Sequence, residues 1–252
     1  MPYLRVATVT RPSFEQATYC AGLALAHAVD YMRSRGFSVD DLAGGDAARA
    51  KVLDSLARGD PVFFLGEGHG GPDRFTGHQL EPIFWKCDCR EVGGRVILLV
   101  SCLTGLELGP DMVDDKGARC YMGYRADFIW IQEAIQDPLA DRYGVAFFEP
   151  VLELVYRLAD GGTAGEAFRA SVDKWNEWID YWVRSTDEAA PAVVMCLLHD
   201  RNHQVLLGDE GARVATPPTI WEYLPSLAGG LAPLLIAGCV PAYVEASKAW
   251  PR

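Results

Sequence analysis

Two short, wholly apolar runs constrain this chain more than any other feature. Residues 62–65 and 96–100 contain no polar side chain at all. Runs of that length, without the alternation of a half-exposed strand, are the pattern of strands buried on both faces of a helix-covered parallel sheet. The first run passes into Gly66-Glu67-Gly68-His69-Gly70-Gly71, the second into Ser101-Cys102-Leu103-Thr104-Gly105. In a parallel sheet both runs end at one edge. That edge is where open α/β sheets bind ligands, and it would carry an imidazole and a thiol 33 residues apart.

The rest of the chain fits such a sheet. Strand-like segments are expected at residues 4–9, 37–42, 62–66, 95–101, 118–124 and 192–198, with a short one at 204–208. Helical patterns span residues 13–35, 46–58, 106–116, 127–159 and 164–184, with Ser13 as N-cap of the first and Pro138 and Pro150 dividing the fourth. Residues 74–85 are irregular and suit a hairpin over the active edge. Strand–helix alternation predicts an α/β fold, a three-layer α/β/α sandwich with a mainly parallel central sheet of about six strands.

The 252 residues, half of them hydrophobic, suffice for one large domain. A net charge of −11 and the lack of any basic block argue against a nucleic-acid partner. Seven scattered cysteines suit a reduced, cytoplasmic protein better than a disulfide framework. The opening Met1-Pro2-Tyr3-Leu4-Arg5 has no basic region with an apolar core behind it, so secretion is not expected. Two units are read: a domain over residues 1–216 and an apolar tail over 217–252. Within the tail, residues 224–243 are uncharged and long enough to span a membrane, but Pro225, Gly229, Gly230, Pro233 and Pro241 interrupt any helix there. The tail is therefore expected to pack on the core or dock a regulatory partner, with no membrane insertion.

A thiol attacks a carbonyl as thiolate, so it needs a base or a lowered pKa, and a neighbouring imidazole supplies both. Cys102 is the candidate nucleophile and His69 the candidate acid–base. The backbone N–H groups of Gly70 and Cys102 are candidate donors to the oxyanion. Glu67, two residues before His69 on the same side of an extended strand, is a candidate to orient the imidazole. Competing readings are weaker. Gly66-x-Gly68-x-x-Gly71 matches a dinucleotide fingerprint, but Pro72-Asp73 follows it where a helix is required. Cys87-x-Cys89 and the His69/His78 pair lack the four-ligand spacing of structural zinc. His199 and His203 read as part of a polar turn, Asp111, Asp114 and Asp115 as a solvated helical face, and Trp175, Trp178 and Trp182 as a helical core or interface stripe.

Taken in order, these segments resemble the caspase-like cysteine peptidases, in particular the gingipain-like and CHAT-type branches. The resemblance rests on a strand leading to His69-Gly70 and a strand leading to Ser101-Cys102-x-Thr104-Gly105. Thr10-Arg11-Pro12, Tyr121-x-Gly123-Tyr124, Gly162-Thr163-x-x-Glu166-Ala167 and Leu207-Gly208-Asp209 extend it from residue 3 to residue 214. It implies peptide-bond hydrolysis by Cys102 with His69 as base, a protein or peptide substrate, and no organic cofactor; some caspase-like enzymes bind calcium, but with Asp111, Asp114 and Asp115 read as a solvated face no metal site is expected. It also implies that the first strand's end helps form the specificity pocket, which puts Arg11 there to pair with an acidic substrate side chain. Asp127 is the alternative pocket residue, for a basic one. A catalytically silent, partner-binding member of the same fold is the competing function.

Overall fold

The computed structural model describes residues 5–216. The tail expected to pack on the core or on a partner lies outside them. The first strand, β1 (Val6–Arg11), leads into α1 (Gln16–Ser34), β2 (Ser38–Ala43), α2 (Arg49–Gly59) and β3 (Phe63–Glu67). After β3 come three short strands, β4 (Gly70–Gly71), β5 (Arg74–Thr76) and β6 (Pro82–Trp85), forming a small antiparallel sheet. Then follow β7 (Val96–Val100), a one-turn helix α3 (Leu108–Pro110) continued by a π-helical turn (Asp111–Asp115), and β8 (Cys120–Tyr124). Helices α4 (Val145–Ala159), α5 (Ala164–Val183) and α6 (Ala190–His203) and strand β9 (Gln204–Gly208) complete the unit.

The six long strands lie in the order β2-β1-β3-β7-β8-β9, all parallel except β9. Alternate residues of the central strands feed two separate cores, as the period-2 geometry of a strand requires. Phe63, Leu65, Val96, Leu98 and Val100 pack with α1, α4, α5 and α6. Phe64, Ile97, Leu99 and Tyr121 pack with α2, the small sheet and the helical turn before β8. A sheet covered on both faces is the three-layer α/β/α sandwich expected from the sequence, and its two central strands are the two apolar runs.

Several local expectations need correction. Residues 192–198 are not the sixth strand but lie inside α6. A short apolar run is ambiguous between strand and helix. Pro191 in the first turn starts the helix, and Val193, Leu197 and Asp200 form its buried face at helical spacing. The sixth strand is instead β9, the short segment expected at 204–208, which follows α6 directly and pairs antiparallel with β8. His199 and His203 consequently share one helix face, rings 4.5 Å apart, and are not in a turn. Residues 127–144 carry only a 3-10 turn (Pro138–Ala140), so the long helix expected there begins at Val145. Pro150 sits within α4 without ending it. Burial of Phe147, Phe148, Val151, Leu152 and Leu154 on that helix offsets the roughly 3 kcal/mol that an internal proline costs. The helix expected over 106–116 shrinks to the short turn pair, and Asp111 in it is buried, not solvated. Its carboxylate accepts the Cys87 N–H at 3.0 Å and pairs with Lys116 at 3.4 Å.

Candidate active site

β3 and β7 are adjacent and parallel, with Glu67 paired in register to Val100. The sheet thus delivers His69 and Cys102 to one edge, two residues beyond that pair. Both line a cavity of about 160 Å³ whose other walls are Ala17, Thr18 and Ala21 of α1, Glu67, Gly68, Val100, Ser101, Phe128 and Trp130.

The nucleophile loop is tied to β8. Leu103 takes a left-handed φ of 62° and donates its N–H to the Ala126 carbonyl at 3.0 Å, while Gly105 N–H reaches the Tyr124 carbonyl at 2.8 Å. The buried Tyr121 hydroxyl donates to Thr104 Oγ1 at 2.8 Å, which in turn bonds the Ser101 carbonyl at 3.3 Å. A non-glycine residue held at positive φ is a local strain of about 1 kcal/mol that surrounding bonds must enforce, and here they do so directly beside Cys102. Gly70 packs against this loop: a Cβ there would fall 2.2 Å from Ser101 Oγ and 2.5 Å from the Cys102 carbonyl oxygen. Only glycine fits. Gly70 also stands opposite Phe75, while Thr76 N–H donates to the His69 carbonyl at 2.9 Å. That spacing makes Gly70 a non-hydrogen-bonded position of the ladder, so its own N–H faces away from β5. The donor expected from the sequence is therefore not consumed by the sheet.

The imidazole partner is Glu15, which the sequence reading passed over. Glu15 is the N-cap of α1, in place of Ser13, and its carboxylate accepts the N–H groups of Ala17 and Thr18 at 3.1 and 2.8 Å. The same Oε1 lies 3.3 Å from His69 Nε2. Burial pushes the Glu15 carboxyl up, but those amides and the imidazole outweigh it and hold it below the usual range. Phe14 packs edge-on against the His69 ring at 6.0 Å. Burial pushes the Cys102 thiol up; Phe128 N–H opposes this, and the carboxyls of Asp127 and Asp200 add to it.

The other expected site residues fare differently. Asp127, the alternative pocket residue, is near enough to raise the Cys102 pKa, but it is not among the lining residues of the cavity. Arg11 does not serve as a free cation: its guanidinium grips Asp41 of β2 with two bonds of 2.8 and 2.7 Å and donates a third to the Gly22 carbonyl at 3.0 Å. It is also not among the lining residues of the cavity. Glu67 does line the cavity, but His69 Nε2 bonds Glu15, and Glu67 Oε2 is sealed with no hydrogen-bond partner. The Gly66–Gly71 segment runs into β4 and not into a helix N-terminus, so it does not form a phosphate cradle.

No protein-family model and no curated protein matches the chain. Solved structures do. The crystal structure of the Arg specific cysteine proteinase gingipain R is similar over 86% of this chain, with a TM-score of 0.58 and 12% identity, and the match covers 49% of that protein. The complex of the Porphyromonas gingivalis RgpB pro- and mature domains is similar over 86% of the chain at a TM-score of 0.59 and 9% identity, covering 50% of its match. The chain spans about half the length of these neighbours. The fold is thus the caspase-like one found in gingipain, and its neighbours are cysteine proteinases.

Proposed function

We propose that this chain is a cysteine peptidase whose Cys102 attacks the scissile carbonyl and whose His69 carries the proton. The observation that carries this reading is the convergence of His69 and Cys102 on one cavity at the carboxyl edge of adjacent parallel strands. In the first step the Cys102 proton passes to His69 as the Sγ–C bond forms. The oxygen that gains charge lies toward the N–H groups of Gly70 and Cys102. Collapse breaks the C–N bond, and the imidazolium gives its proton to the departing amine. Water, deprotonated by His69, then hydrolyses the thioester and frees Cys102. On this reading the proton transfer belongs to the attack, in keeping with a thiol whose pKa burial raises. Glu15, at Nε2, stabilises the imidazolium as it forms.

Cavity size supports a peptide substrate. About 160 Å³ holds one side chain, whereas pockets for whole small molecules begin near 300 Å³. The six cysteines among the described residues are free, which suits a reducing, cytoplasmic setting for a thiol enzyme. The second reading, a silent binding module, is favoured by one fact: the imidazole bonds Glu15 and not the thiol. Turnover of a mixed fluorogenic peptide library separates the two. On the peptidase reading, Cys102→Ala and His69→Ala each lose about 10⁴-fold or more in kcat/KM while remaining folded. Wild-type protein that cleaves nothing, or turnover that survives Cys102→Ala, would reject it.

A further inference from the structure

The tryptophan stripe of α5 lines a second cavity that the reaction just described does not use. Its three members do not share one fate. Trp175 is fully buried and donates its indole N–H to Gln204 at 3.1 Å. Trp178 and Trp182, with Tyr181 between them, line a cavity of about 590 Å³ formed by α4, α5 and the loops at their ends. It shares no wall residue with the cavity of His69 and Cys102. The Tyr181 ring stands nearly perpendicular to both indoles, at 82° and 5.6 Å from Trp178 and at 89° and 5.3 Å from Trp182. Tyr181 is 60% exposed, so core packing does not account for its place. Rings set at right angles present π faces in more than one direction, and π faces attract cations.

The charged walls leave one group over. Arg142 is held by Asp187 at 3.0 Å and by Glu133 at 2.9 Å, and Lys174 by Glu177 at 2.5 Å. Glu149 makes no ion pair among the described residues. Its Oε2 accepts the Trp178 indole N–H at 3.0 Å, which puts the carboxylate at the edge of that ring. The Glu177 bond raises the Lys174 pKa against burial, and Glu149 and Glu153 add to it, as net negative surroundings do. The supply of acceptors decides which cation fits. A lysine ammonium brings three N–H donors and a guanidinium more, and each donor that leaves water needs an acceptor. Asp187 and Glu177 already serve Arg142 and Lys174, and one oxygen of Glu149 serves Trp178, so few acceptors are free. A quaternary ammonium has no N–H and needs only π faces and a negative potential. The volume lies in the range of pockets that take whole small molecules. We propose that this cavity binds a small molecule carrying a quaternary ammonium group, seated on Trp178, Tyr181 and Trp182 with Glu149 balancing its charge.

The test is ligand-observed NMR on the full chain with choline as probe. Choline is compared with its uncharged tert-butyl analogue, in which carbon replaces nitrogen, and with ethanolamine, which keeps the charge but carries N–H groups. Choline is expected to bind with a Kd of about 1 mM or tighter, and at least about tenfold tighter than either comparison compound. Glu149→Gln keeps an acceptor for the Trp178 indole and removes the charge, and Tyr181→Ala changes an exposed position that the fold does not need. Each should weaken choline by about fivefold or more, and Trp178→Phe should bind more tightly than Trp178→Ala. The tert-butyl analogue binding as well as choline would make the cavity a plain apolar groove, and ethanolamine binding as well would make it a simple carboxylate site. Choline binding that survives both Glu149→Gln and Tyr181→Ala would lie elsewhere on the protein. Each of these outcomes overturns the proposal, as does no choline binding up to about 10 mM. A trimethyl-lysine peptide that binds more than about tenfold tighter than choline would replace the small molecule by a protein partner and overturn the assignment in that way. None of these measurements needs turnover, so failure of the peptidase reading leaves this site standing or falling on its own.

Discussion

Asp141 and Glu67 are both buried carboxyl groups, 1% and 3% exposed, yet their surroundings are opposite. Asp141, in the loop before α4, is saturated. Its Oδ1 accepts the N–H groups of Tyr143 and Gly144 at 3.0 and 2.9 Å, and its Oδ2 accepts the Glu133 N–H at 2.9 Å and Gln136 Nε2 at 3.2 Å. Burial pushes its pKa up, but those donors outweigh burial and bring it below the ordinary carboxylate value. Glu67 has burial and the charge of Glu15 against it, with only Arg11 in opposition, and its pKa is driven well above normal. One carboxyl closes a structural loop; the other lines the cavity with its Oε2 sealed and unpaired. A fold that can supply four donors to one buried acid does not leave another bare for want of means, and that contrast is what directs attention to Glu67.

The largest effect should come from breaking the saturated group. Asp141→Ala strands two buried backbone N–H donors and a third that is part-buried, and is expected to cost about 3 kcal/mol in urea unfolding. A loss under about 1 kcal/mol would mean that water replaces the carboxylate and that the contrast is weaker than drawn.

The two carboxyls should also bend the stability–pH curve in opposite directions. Asp141 has a folded pKa below its unfolded value near 3.8, so its contribution is present above that pH and is lost as pH falls through the folded pKa. Glu67 has a folded pKa raised above 4.5, so its contribution is intact below 4.5 and is lost as pH rises toward the folded pKa. Wild-type protein should therefore lose stability between pH 5 and 8 from this group, and Glu67→Gln should lose less over the same range. Parallel urea midpoints for the two proteins at pH 5 and pH 8 would show Glu67 to be solvated in the resting state.

Much of this arrangement is legible in the sequence, and the missing part has a common cause. The apolar runs before His69 and Cys102 declare buried parallel strands, and the glycines after His69 declare a close approach, which Gly70 makes. Glu15 escapes notice because its two roles come from different scales. It caps α1 locally, but it meets His69 only because α1 begins above the end of β3, 54 residues away in sequence. Arg11 misleads for the same reason. Its strand-end position is visible, but its partner Asp41 becomes a neighbour only once β2 pairs with β1, with Arg11 opposite Ala43. The helix α6 was hidden because seven consecutive apolar residues at 192–198 have no period to read, and only the tertiary burial of Val193, Leu197 and Asp200 gives one.

Asp200 lies between the two extremes, and the smallest effect is expected there. It is fully buried, and its Oδ1 accepts the Ile129 N–H at 3.2 Å, which pins the segment carrying Phe128 and Trp130 into the cavity wall. Its Oδ2 has no partner. Burial drives its pKa well above normal, with the Ile129 bond alone opposing. Asp200 adds to the raised Cys102 pKa only to the extent that it is ionised, and burial works against that ionisation. Asp200→Asn retains an acceptor for Ile129 and removes the ionisation. The alkylation rate of Cys102 by iodoacetamide at pH 7.5 should accordingly rise by less than about threefold. A rise above tenfold would mean that Asp200 is charged beside the nucleophile. A fall would mean that the wall segment moved, making the Ile129 bond, and not the charge, what Asp200 supplies to the site.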